Sequence, residues 1–112
     1  MINYIEFPAH NLEATQAFFE QVFGWQFQAY GPDYIAFGHS GTPGGFYRSD
    51  NTSRMANGAA LVVIQVDDLE AKLAEVKAAG GDICQDIFSF PGGRRFHFIE
   101  PSGNELSVWS EA

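Results

Sequence analysis

The sequence predicts an α+β fold made of two similar βαβββ modules. A helix-like segment at 12–24 recurs 57 positions later, at 69–81, with five of its thirteen positions identical. Each copy follows a β-like run and is followed by two or three more such runs. A polar stretch without periodicity, 48–58, separates the two halves. Because 112 residues have room for one core, we expect a single domain over 1–112, with modules at about 1–50 and 58–112.

The elements of the first module follow from hydrophobic periodicity and turn residues. Alternating β-branched and aromatic residues at the N-terminus are typical of a strand, which Pro8 ends. Phe18 and Val22 lie four residues apart and give the next segment the apolar face of a helix. The predicted elements are a strand at 2–7, a helix that His10 or Asn11 caps and Gly24 ends, and strands at 25–30, 34–38 and around Phe46 and Tyr47.

The second module repeats this order. The run 59–66 is apolar on both faces, which predicts a buried central strand. Asp67-Asp68-Leu69-Glu70 has the spacing of a capping box, so a helix begins there, and it turns Leu69, Leu73 and Val76 inward. Gly80-Gly81 ends this helix, and strands are predicted at 82–90, 94–99 and 105–109.

The charge balance limits the classes of partner. The formal net charge is −8, whereas nucleic acid and anionic membranes are bound through Lys and Arg patches. We therefore expect neither as a partner and favour a cationic or neutral small molecule. No apolar run reaches the roughly 18 residues that cross a bilayer, and the N-terminus lacks the layout of a signal peptide.

Single titratable residues have simple predicted roles. Cys84 is the only cysteine, so no intrachain disulfide can form, which favours a reducing cytoplasm. We expect Cys84 to be a small buried hydrophobic residue rather than a nucleophile. His10 and His39 are expected in solvent. Arg94-Arg95, after two glycines, favours a solvated hairpin over contact with an anionic ligand.

Three phrases of the sequence resemble one family. They are Val66-Asp67-Asp68-Leu69-Glu70-Ala71, Phe23-Gly24-Trp25 and Glu100-Pro101-Ser102-Gly103-Asn104-Glu105-Leu106, the last similar to a "DPDGN" turn with Glu and Ser in place of the two Asp. With the order βαβββ-βαβββ, they resemble the vicinal oxygen chelate superfamily, which includes glyoxalase I, extradiol dioxygenases, fosfomycin resistance proteins and bleomycin resistance proteins. The chain looks most like small bacterial proteins related to lactoylglutathione lyase. The resemblance implies a cup-like mixed sheet with helices on its convex face, and a homodimer.

The resemblance also implies where a divalent metal ion would be bound in metal-dependent members. The ligand positions fall on Tyr4, Leu61 and Ser107, with a fourth in the short strand near Gly45 to Tyr47. Tyr, Leu and Ser are not a ligand set for a divalent metal. Glu6 and Glu105 lie two residues from Tyr4 and Ser107 and therefore face the same side of the sheet, but a metal site there would need two more donors. We therefore predict neither a metal site nor another cofactor.

A concave face remains as the predicted ligand site. Aromatic side chains there would stack on a planar or cationic ligand, and Glu6 would supply the counter-charge. The alternative is that these side chains only fill the cup or form a dimer interface. Alternation and repeat symmetry select Tyr4, Glu6, Tyr47, Leu61, Val63, Gln65, Glu105, Ser107 and Trp109.

Three classes of function follow. The first is a metal-free protein that binds a small molecule, as the bleomycin-resistance branch implies for cationic, planar antibiotics. The second is a metal-dependent lyase or isomerase related to lactoylglutathione lyase, or a dioxygenase-type enzyme. A metal-free enzyme is a third class, in which Glu6 or His97 acts as the general base. The sequence identifies no other catalytic residue.

Overall fold

The computed structural model describes all residues from 1 to 112 and confirms the predicted α+β fold of two βαβββ modules. The first module consists of β1 (Ile5–Ala9), α1 (Leu12–Phe23), β2 (Gln26–Ala29), β3 (Tyr34–Gly38) and β4 (Gly44–Arg48). A linker with one 3-10 turn, Met55–Asn57, leads to the second module. That module consists of β5 (Val62–Gln65), α2 (Leu69–Ala78), β6 (Asp82–Phe90), β7 (Gly93–Ile99) and β8 (Glu105–Ser110). Neither helix has the length and apolar character needed to cross a membrane.

The eight strands form two four-stranded sheets with the same topology. The strand orders are β1-β4-β3-β2 and β5-β8-β7-β6, and in each the first strand of the module runs parallel to its last. Phe7 pairs with Phe46 in the first sheet as Ile64 pairs with Val108 in the second. The internal repeat of the sequence is therefore also a repeat of register.

Two strand predictions were wrong because β1 and β5 are edge strands. Pro8 does not end β1 but lies within it, opposite Tyr47. An edge strand tolerates proline because the position of the missing N–H can face away from the neighbouring strand. The run 59–66 is not a buried central strand, since only β8 pairs with β5 and Val63 is 42% exposed.

Side-chain caps and glycines set the ends of the helices. Asn11 Oδ1 accepts a hydrogen bond from the Ala14 N–H at 3.0 Å, which decides between the two predicted caps of α1. Asp68, one residue later than the capping-box spacing predicted, caps α2 through the Ala71 N–H. The Gly81 N–H donates to the Val76 carbonyl where α2 ends, as in a Schellman motif.

Aromatic side chains of α1 join both modules in one core. Phe19 stacks on Trp25 with ring centroids 4.5 Å apart, and it also packs against Phe46 of β4. Its neighbour Phe18 lies 5.6 Å from Phe98 of β7, in the other sheet. The first helix therefore contacts both sheets, and burial of its apolar face stabilises the whole chain.

A buried polar turn, residues 100–104, ties the two modules together. Asn104 is fully buried; its Nδ2 donates to the Pro8 carbonyl at 2.6 Å and its Oδ1 accepts from the Ser53 N–H at 2.8 Å. Glu100 accepts a hydrogen bond from Thr15 of α1 at 2.7 Å. Burial raises the pKa of Glu100, even though the hydrogen bonds from Thr15, Ser102 and Asn104 to its carboxylate oppose the rise.

Replacing Asn104 is expected to destabilise the fold. Asn104→Ala removes the partners of the buried Pro8 carbonyl and of the part-buried Ser53 N–H, at a cost on the order of 3 kcal/mol. Urea denaturation measures the difference in free energy of unfolding. Asn51→Ala is the matched control, because Asn51 is exposed and its side chain makes no hydrogen bond. Equal stability of the two variants would contradict the role given to Asn104.

Candidate functional site

Tyrosines and one carboxylate cover the open face of the first sheet, opposite the face packed on α1. Tyr4 and Glu6 come from the start of β1, Tyr34 from β3 and Tyr47 from β4. Tyr34 Oη donates to Glu6 Oε2 at 2.9 Å and shares a hydrogen bond of 2.5 Å with Tyr4 Oη. Gly45 makes this possible, because a Cβ there would lie 2.1 Å from Tyr34 Oη.

The Glu6 carboxylate is oriented but not neutralised. Desolvation is the largest cause that raises the pKa of Tyr34, and the hydrogen bonds to Tyr4 and Glu6 follow. The phenol therefore stays protonated and acts as the hydrogen-bond donor to Glu6. No Lys, Arg or His lies within ion-pair distance of Glu6. The negative charge of Glu6 is therefore available to a ligand.

This carboxylate opens into a cleft between β1, β4 and the linker, which we call the acidic cleft. Its volume is about 610 Å³. Asp50, which also has no ion-pair partner, adds a second carboxylate. The lining residues are Glu6, Pro8, Tyr47, Asp50, Asn51, Thr52, Ser53, Asn57 and Ala59. Sequence reasoning missed Asp50, because nothing in an aperiodic linker indicates which way its side chains point.

The open face of the second sheet forms a different cleft, which we call the aromatic cleft. It encloses about 250 Å³ and is lined by Val63, Phe90, Gly92, Arg95 and Trp109. Phe90 and Trp109 lie with ring centroids 6.1 Å apart, and the Arg95 guanidinium lies 5.5 Å from the centre of the Phe90 ring. The cleft is therefore apolar apart from one cation.

His97 and Glu105 form a buried pair behind these surfaces. His97 Nδ1 lies 3.0 Å from Glu105 Oε2, and Arg54 approaches the other carboxylate oxygen at 3.6 Å. Burial favours a higher pKa for Glu105, but the His97 hydrogen bond, the Met55 N–H and Arg54 outweigh it and lower that pKa. His97 Nε2 is buried without a partner, and His97 lines no cleft. A base in this position does not reach a substrate in this conformation.

The nine predicted ligand-binding residues are not brought together in one cavity. Glu6 and Tyr47 line the acidic cleft, whereas Tyr4 is linked to Glu6 only through the Tyr34 hydroxyl. Val63 and Trp109 line the aromatic cleft, and Val63 and Gln65 also line a third cavity of about 340 Å³ beside β1. Four residues line none of them: Tyr4 is exposed, Leu61 is half-buried, and Glu105 and Ser107 are buried. Whether they bind a ligand stays a prediction.

The residues at the implied metal positions do not fit a divalent ion. Tyr4 is engaged with Tyr34, and the Ser107 hydroxyl donates to the Phe96 carbonyl at 3.0 Å. No group of three or more His, Cys, Asp or Glu side chains is arranged so that it could hold a metal ion. The donor set on this scaffold is therefore unlike the oxygen and imidazole sets that divalent metals require.

The prediction that Cys84 is buried was wrong, because its side chain on β6 is exposed. Partial desolvation, and then the Glu105 carboxylate, raise the pKa of the Cys84 thiol, which disfavours the reactive thiolate. Arg94 binds both carboxylate oxygens of Glu70, at 2.6 and 3.0 Å, rather than pointing freely into solvent. His10 and His39 are exposed, as expected.

Comparison with known proteins agrees with this architecture. Residues 1–108 match the model of the Glyoxalase/Bleomycin resistance protein/Dioxygenase superfamily. A glyoxylase-like domain-containing protein from Didymella fabae is 30% identical, with 96% of this chain and 91% of that protein covered. The chain therefore belongs to the Glyoxalase/Bleomycin resistance protein/Dioxygenase superfamily.

Solved structures show the same fold at low sequence identity. A lactoylglutathione lyase from Agrobacterium tumefaciens superposes with a TM-score of 0.74 at 20% identity, covering 98% of this chain and 92% of that one. A fosfomycin resistance protein from Listeria monocytogenes gives 0.79 at 15% identity, covering 98% and 92%. A family enzyme from Burkholderia phytofirmans gives 0.81 at 16% identity, covering 99% and 98%. At these identities the likeness concerns the fold alone.

Proposed function

We propose that the protein binds a small planar organic cation in the acidic cleft, without a metal ion. The observation that carries the proposal is the Glu6 carboxylate, which Tyr34 holds at 2.9 Å and which no basic side chain of the chain neutralises. A fixed carboxylate with no internal partner is suited to pair with a charge brought by a ligand.

Aromatic rings give the ligand a surface on which to stack. Tyr47 is 39% exposed in the acidic cleft, and Tyr4, which is linked to Glu6 through Tyr34, is 44% exposed. A planar cation gains from the faces of such rings, by about 0.5 to 2 kcal/mol for one contact. Asp50 adds a second charge, and the net charge of −8 draws cations toward the surface. Charge and ring faces thus favour the same class of ligand.

The alternative is an enzyme related to lactoylglutathione lyase or a dioxygenase, acting at a metal ion. Tyr4, Leu61 and Ser107 supply no divalent-metal ligand set, so the donor chemistry favours metal-free binding. A metal-free enzyme with His97 as base is also disfavoured, because His97 is buried and lines no cleft. A binding role needs only the groups that are open to solvent.

We also propose that the protein is a homodimer. Large apolar side chains outside both clefts lie in solvent, among them Ile2, Tyr30 and Met55. β5 and β1 are edge strands whose outer backbone groups have no strand partner. A second copy that covers these features would remove apolar area from water.

The cation proposal predicts selective binding of N-methylquinolinium over neutral quinoline at pH 7. Isothermal titration calorimetry measures both dissociation constants. Glu6→Gln keeps the size of the side chain and the hydrogen bond from Tyr34 but removes the charge, so the affinity for the cation is expected to fall about 10-fold. The affinity for quinoline is expected to change little.

Glu20→Gln is the matched control for this experiment. Glu20 is an exposed residue of α1 that lines no cleft, and the substitution changes the net charge by the same amount. The cation affinity of this variant should stay within about twofold of the original. Equal losses in the two variants, or equal binding of quinoline and the cation, would overturn the proposal.

Metal analysis separates binding from the metal-dependent alternative. The protein is purified without chelators, and its metal content is measured by inductively coupled plasma mass spectrometry. The measurement is repeated after addition of Ni²⁺, Zn²⁺ or Mn²⁺ and removal of the excess ion. We expect far less than one equivalent of metal in each case. The reason is that the ligand positions carry Tyr, Leu and Ser. Tight stoichiometric metal would refute the metal-free proposal.

Light scattering tests the dimer. Multi-angle scattering at micromolar concentration should give twice the chain mass of 12.3 kDa. Ile2→Glu places a charge on the exposed apolar surface outside both clefts and should shift the equilibrium toward the monomer, because burying an unpaired charge is costly. The exposed and distant Glu20→Gln variant should remain dimeric. A monomeric original protein contradicts the proposal.

A further inference from the structure

We propose that the aromatic cleft of the second module is a separate binding site for a small planar carboxylate, with Arg95 as its anchor. This inference goes beyond the cation site of the first module and does not depend on it. It rests on the contacts of Arg95, on the walls of the cleft and on the absence of an internal partner for this one arginine.

Arg95 differs from the other arginines of the chain. Arg48, Arg54 and Arg94 each form an ion pair with a carboxylate. The side chain of Arg95 makes no hydrogen bond or ion pair within the chain, and its Nε is buried without a partner. Arg54 Nε is also buried without a hydrogen bond, but Glu105 Oε1 lies 3.6 Å from it, whereas no carboxylate faces Arg95. The Arg95 Nη groups make no hydrogen bond and are not among the buried unpaired atoms, so they are the donors that an acceptor from a ligand can reach.

The surroundings hold the guanidinium in place without neutralising it. Its central carbon lies 5.1 Å from the centre of the Phe88 ring and 5.5 Å from that of Phe90. Arg95 is directly opposite Phe88 on β6 and Trp109 on β8, so the three side chains form one row across the sheet. Stacking against aromatic faces orients the planar guanidinium and leaves its N–H groups for an acceptor.

The walls of the cleft select the rest of the ligand. Phe90, Trp109 and Val63 present apolar surface around Arg95. A flat ring bound against Trp109 removes apolar area from water, while its acid group faces the guanidinium fork. The cleft volume of about 250 Å³ suits one ring system rather than a larger molecule.

The charge of the site favours a carboxylate over a phosphate. Only one cation faces the cleft, because the neighbouring Arg94 is engaged by both oxygens of Glu70. A phosphate dianion needs more than one such partner in an apolar cleft, and the net charge of −8 repels it more strongly than a monoanion. A single carboxylate matches a single guanidinium.

Benzoate is a suitable probe, with benzamide as its neutral analogue. Heteronuclear NMR of the uniformly labelled full chain follows the titration at single residues. Benzoate is expected to cause saturable shifts at the Trp109 indole N–H and at the amides of Phe90 and Gly92, which line the cleft. Benzamide should leave these signals nearly unchanged, because it brings no charge to Arg95.

Three variants at two adjacent arginines provide the decisive comparison. Arg95→Gln removes the anchor and should weaken benzoate binding on the order of 10- to 100-fold, the range for a lost charge-assisted pair. Arg94→Gln removes the same charge one residue away, outside the cleft, and should change the affinity by less than about threefold. Arg95→Lys keeps the charge but not the fork, and should bind about 10-fold more weakly.

The outcomes are distinct from those of the cation experiment. The proposal is overturned if the folded protein shows no saturable shift with millimolar benzoate. It is also overturned if benzamide binds as tightly, or if Arg94→Gln and Arg95→Lys weaken binding equally. If Arg95→Gln does not fold, the Arg95→Lys comparison decides. Glu6→Gln should leave benzoate binding intact, so failure of either site can be recognised separately.

Discussion

The hydrogen bonds of Asn104 fix the geometry on which both clefts depend. One buried amide joins the Pro8 carbonyl of β1, the Ser53 N–H of the linker and the Glu100 carboxylate of its own turn. The Asn104 amide, the Pro8 carbonyl and the Glu100 carboxylate meet in buried hydrogen bonds, so separating them would leave donors and acceptors unpaired. The amide therefore positions the end of the first strand and the linker together. The acidic cleft is built between those two segments, and Glu105 of β8 follows directly in sequence.

The two modules place different chemistry on equivalent positions. Pairing shows the correspondence, since Tyr34 lies opposite Tyr47 in the first sheet as Arg95 lies opposite Trp109 in the second. In the first module a phenol orients the free carboxylate of Glu6. In the second a guanidinium is held against aromatic rings without a partner. The two repeated modules thus present one anionic and one cationic open face, which is why we assign two ligand classes rather than one.

Much of the fold could be read from local pattern, and the errors have common causes. The start of α1 was predictable to within His10 or Asn11, and its end at Gly24, because helix caps depend on neighbouring residues. The location of β5 at a sheet edge was not, because its apolar sequence is compatible with either an edge or a centre. Pro8 was wrongly predicted to end β1 for the same reason, because local sequence does not show that β1 lies at a sheet edge, where proline is tolerated. Cys84 was placed in the core from its apolar neighbours, but strand alternation carries it to solvent.

For the site, the sequence by itself determined which side chains share a face, and only the tertiary structure decided which of them are open. Alternation along a strand puts Glu105 and Ser107 on the same face as Trp109. The linker then crosses Glu105, with the Met55 N–H and Arg54 against its carboxylate, and buries it, whereas Trp109 stays within reach of a ligand. The same linker brings Asp50 beside Glu6. Periodicity is a property of neighbouring residues, but the path of an aperiodic linker depends on hydrogen bonds to residues about fifty positions away, such as that between Ser53 and Asn104.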